Sequence, residues 1–542
     1  MGLRFRVAVG RGVTREKTIP VIDLFAGPGG LGEGFSSLRS GRGNRPFRIT
    51  LSIEKDPRAH ATLRLRSFVR TFGDAPPAAY YDALRRTDEP LSARVSSLFD
   101  EYSLQASHAD SEAWNAELGR VDPELLASRI ATATEGSHAW VLLGGPPCQA
   151  YSLAGRSRNK GKADYEPAKD KRQFLYVEYL HVIAEHQPAV FIMENVKGLL
   201  SATVRDDPMF ERIVGDLRSP VDALRREQRS VRIRGGRSRS PKYEIFPICE
   251  PPTGDGRSSD FIVEMEKFGI PQARHRLILL GVRTDLIGST RTRHLTSQEP
   301  VAAGRVLTGL PRVRSGLSRE VDSPSAWLQR IRTSAESRWF RAPAQHDDAV
   351  VRQVVKTLDH LAVPRNDRGG EFVSGSPDAQ YRSDWYLDGR IGGTYNHQTR
   401  QHFVGDLHRY LYCAAFAKVA RRSPVLADFP RDLLPDHRNV EASMSGGNFA
   451  DRFRVQLEDR PATTITSHIG KDGHYYIHPD PTQCRSLTVR EAARLQTFPD
   501  NYFFCGPRTA QYQQVGNAVP PLLASQIAEI VLHLLRDTGL FG

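Results

Sequence analysis

Short apolar runs, each ending in glycine or polar residues, recur through the first half of the chain. Residues 21–25 form one such run, which passes through a glycine-rich turn into a helical stretch reaching Phe35. A second run, 48–53, ends at Glu54; runs at 140–143 and 189–193 each lead straight into short polar motifs, and 277–282 repeats the theme. The order of strand, glycines, helix, strand and acid is how doubly wound sheets hold a nucleoside. The expected fold is α/β, a doubly wound Rossmann-like parallel sheet with its function at the carboxyl ends of the strands.

Two long insertions, 76–137 and 201–260, interrupt this pattern. The second carries Arg229, Arg232, Arg234, Arg237 and Arg239 between small or polar residues, which reads either as a solvated insertion or as an arm that touches phosphates. Beyond residue 283 the strand signals thin out. We therefore expect a large domain over 18–283, a smaller one over 284–456, and a segment over 457–542 that returns to the first, with a final helix at 522–535 packed against it.

A chain of 542 residues supports more than one hydrophobic core. Its 75 Lys and Arg against 62 Asp and Glu leave a net charge of +13, which favours a polyanionic partner, nucleic acid before membrane. No signal-peptide core or bilayer-length apolar run is evident, so a cytoplasmic, nucleoid-associated protein is expected. Five widely spaced cysteines without a paired motif argue for reduced thiols rather than disulfides or zinc. His397, His402 and His408 do not share a helical face at metal-ligand spacing, and no metal is expected.

Four clusters carry candidate chemistry. Phe25-Ala26-Gly27-Pro28-Gly29-Gly30 lets a ligand approach the backbone, and it lacks the lysine ending of a phosphate-binding P-loop. Glu54 can accept hydrogen bonds from ribose hydroxyls, which makes an adenosine-containing cofactor plausible. Gly144-Gly145-Pro146-Pro147-Cys148-Gln149 presents one cysteine on a rigid bend, either an inert small residue or, as we favour, a nucleophile. Glu194, after the fourth strand, is either a strand-end acid or its catalytic companion. Gln272, Arg274 and Arg276 share one face of the fifth strand, suited to binding phosphate, polarising a carbonyl or forming surface ion pairs.

Taken in order, Asp23-Leu24-Phe25-Ala26-Gly27, Pro146-Pro147-Cys148-Gln149, Glu194-Asn195-Val196, Gln272-x-Arg274-x-Arg276, Arg490-Glu491-Ala492-Ala493-Arg494-Leu495-Gln496-Thr497-Phe498-Pro499 and Gly516-Asn517-Ala518-Val519-Pro520-Pro521 resemble the motif set of the cytosine-5 DNA methyltransferases. Six motifs in sequence cover roughly half the chain, and residues 284–456 fall where that family keeps its target-recognition region.

The resemblance implies methyl transfer from S-adenosylmethionine to carbon-5 of a cytosine flipped out of a specific duplex DNA sequence, in restriction-modification or related phage defence. Cys148 would add to carbon-6, Glu194 would engage ring nitrogen-3 with a raised pKa, and Arg276 would contact the carbonyl oxygen, with Arg274 and Gln272 bracing the loop. Phe25, Ala26, Gly27, Gly29, Gly30, Glu54, Pro146 and Asn517 would surround the cofactor. The acid of the family's third motif would be Asp74 or Asp122. Ser152, Arg156 and Gln272 would meet DNA, within a basic loop over 152–172 that closes on the backbone. Double-stranded DNA is the expected partner, bound by a monomer, with defence-system proteins as further partners and no membrane. A structured-RNA methyltransferase and a silent DNA-binding regulator are the alternative readings, and no second active site suggests a fused nuclease.

Overall fold

The computed structural model describes residues 18–41, 43–147, 175–204, 207–234, 240–250, 257–287, 293–341, 348–436, 440 and 451–541. Its centre is an eight-stranded sheet. Strand β1 (Ile19–Leu24) is buried along its whole length and pairs in parallel with β2 (Phe47–Glu54) on one side and β4 (Val141–Gly144) on the other. Outside these lie β3 (Ala113–Asn115), parallel to β2, and β5 (Val190–Val196), parallel to β4. Helix α1 (Gly30–Ser37) follows the glycine turn, and α2 (Pro57–Arg70) starts at Asp56, whose carboxylate accepts from the Arg58 and Ala59 amides.

The fifth expected strand, His275–Arg283, departs from the parallel reading. It runs antiparallel to β5, pairing Arg276 with Val196 and Ile278 with Glu194. The strand Ile262–Glu264 also pairs antiparallel with it, so the chain enters from the side where β5 ends. That reversal explains why an arginine motif at the start of this strand meets an acid at the end of β5.

Apolar clusters cover both faces of the sheet. On one face the helix Pro521–Asp537 lies against α1 so closely that a Cβ on Gly34 would sit 2.4 Å from both the Ala524 Cβ and the Pro521 carbonyl oxygen. Each fully buried leucine or isoleucine along this helix is worth about 1.5–3 kcal/mol. The stretch Arg508–Asp537 has the length and hydropathy of a membrane span, but it breaks into two helices at Ala518–Pro520 and is mostly buried inside the fold.

The insertion 76–137 opens with α3 (Ala78–Arg85), α4 (Leu91–Glu101) and α5 (Ser103–Glu112), whose shared core includes Phe68 of α2, Tyr395 and Phe503. Buried Arg94 pairs with Glu371, and Arg85 Nε donates to the Ile391 carbonyl at 2.8 Å, so these helices tie the sheet domain to residues of the second region. In that region the helix Val404–Ala420 packs with Trp327 and Trp339 in a cluster that continues past residue 456 to Cys484. The described arginines of the other insertion are not a free arm: Arg229 pairs with Glu178, Arg232 with Glu124, and Arg234 with Glu124 and Glu185. These acids belong to helices α6 (Pro123–Thr134) and Leu175–His186, behind the sheet.

Candidate active site

A cavity of about 660 Å³ opens where β1, β2, β4 and β5 end. The turn after β1 forms one wall, with Phe25 and Gly27 both in the left-handed region at φ 57° and 59°. Phe25 adopts it because Glu54 and the strand ends fix the chain on either side. Glu54 Oε2 accepts the Gly27 amide at 2.9 Å and Oε1 accepts the Asp56 amide at 2.7 Å. Its carboxyl is pushed above the usual range by burial, against the pull of these two amides. Gly30 also lines the cavity, and a Cβ there would meet the Val519 carbonyl oxygen at 2.2 Å, which brings the last motif onto the first.

Asp23 lies at the floor of this cavity and is 1% exposed. Neither carboxylate oxygen has a hydrogen-bond partner by geometry, although the Gly32 amide is near enough to favour its charged form. Burial outweighs that amide and raises the Asp23 pKa to about 7.

Across the cavity, Glu194 and Arg276 form an ion pair, Nε to Oε1 at 3.0 Å, with both side chains about one-seventh exposed. Glu194 Oε2 also lies 3.1 Å from where a Cβ on Gly145 would be, so the glycine leaves room for the carboxylate. Next to it, the Asn195 carboxamide accepts the Val196 amide at 2.8 Å and reaches the Pro146 carbonyl at 3.5 Å, binding the end of β5 to the Gly-Pro turn. Pro146 and Pro147 line the cavity. Cys148 is the next residue in the chain and lies outside the described residues, as do Ser152, Arg156 and the whole basic loop.

Arg274 borders the cavity, yet it is 1% exposed and Nη1 donates to the Ile465 and Gly516 carbonyls at 2.7 and 3.3 Å. Burial, aided by Arg276, holds its pKa well below the ordinary arginine value. Arg274 is thus tied to the backbone of two later segments of the chain. Gln272 corrects the expectation of a DNA contact. It is completely buried, donates to the Leu495 carbonyl at 3.1 Å and to the Gln496 side chain, and accepts the Ile465 amide at 2.6 Å. Its hydrogen bonds link the chain just before the fifth strand to the segments at residues 465 and 495–496.

Of the expected cofactor residues, Phe25, Ala26, Gly27, Gly30, Glu54, Pro146 and Asn517 line the cavity. Gly29 does not: at φ 92° it caps α1, and a Cβ would lie 2.7 Å from Leu63 and 3.1 Å from the Tyr502 hydroxyl. The third-motif acids are also displaced. Asp74 pairs with Arg39 and Arg45 on the surface, and Asp122 caps α6. Neither lines the cavity, whereas Ala116, Glu117 and Leu118, which follow β3, do. Thr466, Ser467, His468 and Gln513 also line it and carried no periodic signal in the sequence. The three histidines serve packing: His397 bonds to the Thr488 hydroxyl and the Pro311 carbonyl, His402 to Tyr410 and Ser486, and His408 to the Arg330 carbonyl.

The model of the C-5 cytosine-specific DNA methylase family matches residues 129–219 and 261–533, more than half of the chain and all of the β4, β5 and arginine-motif walls of the cavity. The chain belongs to this family. The methyltransferase is similar over nearly its full length to several curated relatives. It is 30% identical over 534 residues to the type II methyltransferase M.Bpa9945I of Bacillus paralicheniformis, covering 95% of this chain and 99% of that protein. It is 26% identical over 542 residues to the DNA (cytosine-5-)-methyltransferase M.ApeKI of Aeropyrum pernix, covering 95% and 98%. With the type II methyltransferase M.AgeI of Thalassovita gelatinovora it shares 23% over 536 residues, covering 94% and 98%.

Proposed function

We propose that this cytosine-5 DNA methyltransferase is the modification enzyme of a type II restriction system, acting as a monomer in the cytoplasm on a specific duplex sequence, with S-adenosylmethionine as methyl donor. The names of its relatives support the setting. The observation that carries the active-site reading is the Glu194–Arg276 pair, set on the cavity wall beside the Pro146-Pro147 turn that leads into Cys148.

The cavity suits the donor. Glu54 is already held by two amides and keeps lone pairs for ribose hydroxyls, and the orphaned Asp23 carboxylate offers an anion to the amino group. Phe25, Gly27, Pro146 and Asn517 give the apolar and backbone walls. When bound, the donor supplies an electrophilic methyl group.

The chain's own residues prepare the base to receive it. Cytosine carbon-5 is a weak nucleophile until a thiolate adds to carbon-6, and Cys148 is the residue assigned to that addition. Glu194 is assigned to ring nitrogen-3, and Arg276, its partner at 3.0 Å, to the carbonyl oxygen on which charge develops. Carbon-5 would take the methyl group, the donor leaving as S-adenosylhomocysteine, and transfer of the carbon-5 proton to water would then expel the Cys148 thiolate and restore the ring. Reaching the base requires flipping it from the duplex, at a cost of a few kcal/mol that protein contacts offset. Residues 284–456 are assigned to target recognition and 457–542 to closing the catalytic domain, whose core they join.

Trapping tests this reading. Duplex DNA containing 5-fluorocytosine should form a covalent adduct with the native protein in the presence of the donor, and Cys148→Ser should form none while still binding DNA. An adduct that persists in Cys148→Ser excludes that nucleophile. Bisulfite sequencing of DNA from expressing cells gives the recognised sequence.

A further inference from the structure

Three guanidinium groups meet at a seam beside the catalytic cavity with little acid to balance them. The Thr399 carbonyl oxygen accepts from Arg508 Nη1 at 2.5 Å and from Arg368 Nη2 at 3.2 Å. Arg400, the next residue, is 8% exposed; it donates to the Lys471 carbonyl at 3.0 Å and to the Ile469 carbonyl, and lies over the Tyr512 ring at 4.1 Å from the centroid. The Nε atoms of both Arg368 and Arg400 are buried without a hydrogen-bond partner. Arg368 pairs with Asp322 at 3.1 Å, but Arg314 takes the other oxygen of that carboxylate at 2.6 Å. Among the described residues, Arg400 and Arg508 bond only to backbone carbonyls and form no ion pair.

The surroundings feel this excess of charge. His402 is held well below the usual histidine range, first by burial and then by His474 and the same three arginines. Arg508 is itself lowered by burial and by Arg400 and Arg368. A partly buried positive cluster of this kind is stable with an anion among its partners, and guanidinium groups match a phosphate best.

Position selects the anion. Arg508 opens the ten-residue helix Arg508–Asn517, whose Ala510, Gln513 and Asn517 line the cavity. The dipole of that helix places partial positive charge at this end and adds to the attraction. Arg400 meanwhile grips the backbone just after Ser467 and His468 on the cavity rim. The seam therefore adjoins both a helix and a backbone segment that line the cavity.

We propose that Arg508, backed by Arg368 and Arg400, holds one phosphodiester of the DNA strand that crosses the mouth of the catalytic cavity. The assignment rests on the duplex-DNA reading above.

Full-length protein with Arg508→Gln or Arg508→Lys should be compared with the native chain in binding a labelled mixed-sequence duplex over a range of salt. Arg508→Gln should bind about tenfold more weakly near 0.1 M salt, and its slope of log affinity against log salt should be shallower by about one. Arg508→Lys should keep most of the slope, and S-adenosylhomocysteine affinity should be the same in all three. An unchanged slope in Arg508→Gln, even with weaker binding, overturns the contact by showing a structural role alone. Inorganic phosphate that stabilises the native protein but not Arg508→Gln, again with an unchanged slope, assigns the seam to a free anion and overturns it too. If the native chain itself does not bind duplex DNA, the functional reading beneath the proposal falls with it.

Discussion

Arg276 and Glu194 are diagonal neighbours across an antiparallel ladder: Arg276 sits opposite Val196, Glu194 opposite Ile278, and yet their side chains meet at 3.0 Å. Diagonal pairs on one sheet face are within reach of long side chains, so the register itself sets the angle at which the guanidinium approaches the carboxylate. Arg276→Ala should leave the fold and cofactor binding intact and lower kcat by about 10²–10³-fold, the usual loss for one donor to a developing oxyanion. Steady-state methyl transfer at saturating duplex measures it. A kcat within a few-fold of native would remove Arg276 from the chemistry.

Glu54 holds the turn after β1 by accepting two amides. Glu54→Ala should weaken S-adenosylhomocysteine binding at least tenfold, since hydrogen bonds to a charged group are worth about 1.5–3 kcal/mol. Titration calorimetry reports this directly, and an unchanged affinity dismisses the ribose role.

Asp23 gives a pH dependence of opposite sign to that of a paired carboxylate. Its folded pKa, about 7, lies above the ordinary aspartate value of 3.8, so the folded state binds the extra proton between the two. Its favourable contribution is complete below about pH 4 and is lost as pH rises through 7. Asp23→Asn should flatten the stability profile of the ligand-free protein over this window by up to about 4 kcal/mol, an order-of-magnitude figure from three pKa units. Urea melts of both proteins from pH 4 to 8 would read it, and parallel profiles would refute it.

Two glycines provide a matched steric test. Gly30→Ala forces a Cβ to within 2.2 Å of a backbone oxygen, whereas a Cβ on helical Gly215 meets nothing within 4 Å. The first change should cost about 1–3 kcal/mol or more. The second should be neutral or stabilise by up to about 1 kcal/mol through helix propensity. Thermal melts that rank the variants the other way contradict the fit of Val519 against α1.

Much of the catalytic wall was legible because strand-end motifs are local. Glu54 and Glu194 stood out by their places after apolar runs, Phe25, Gly27, Pro146, Arg276 and Asn517 by their resemblance to family motifs, and all seven line one cavity. Strand direction was not legible, since an apolar run reads the same either way, and His275–Arg283 proved antiparallel. Glu117 was missed because β3 is only three residues long and follows a helical insertion. Gln272 was misjudged for a different reason: a polar residue beside two arginines looks exposed until Ile465, Leu495 and Gln496 are found to enclose it.

The cavity joins Phe25 to Asn517, and α1 is sealed by a helix that begins at Pro521. On the ribosome, the nascent chain must therefore expose its glycine turn, unsealed, until Pro521 and the residues after it have been made. The pocket assembles only after those late residues emerge, so partial translation products carry the motifs of a modification enzyme without its competence.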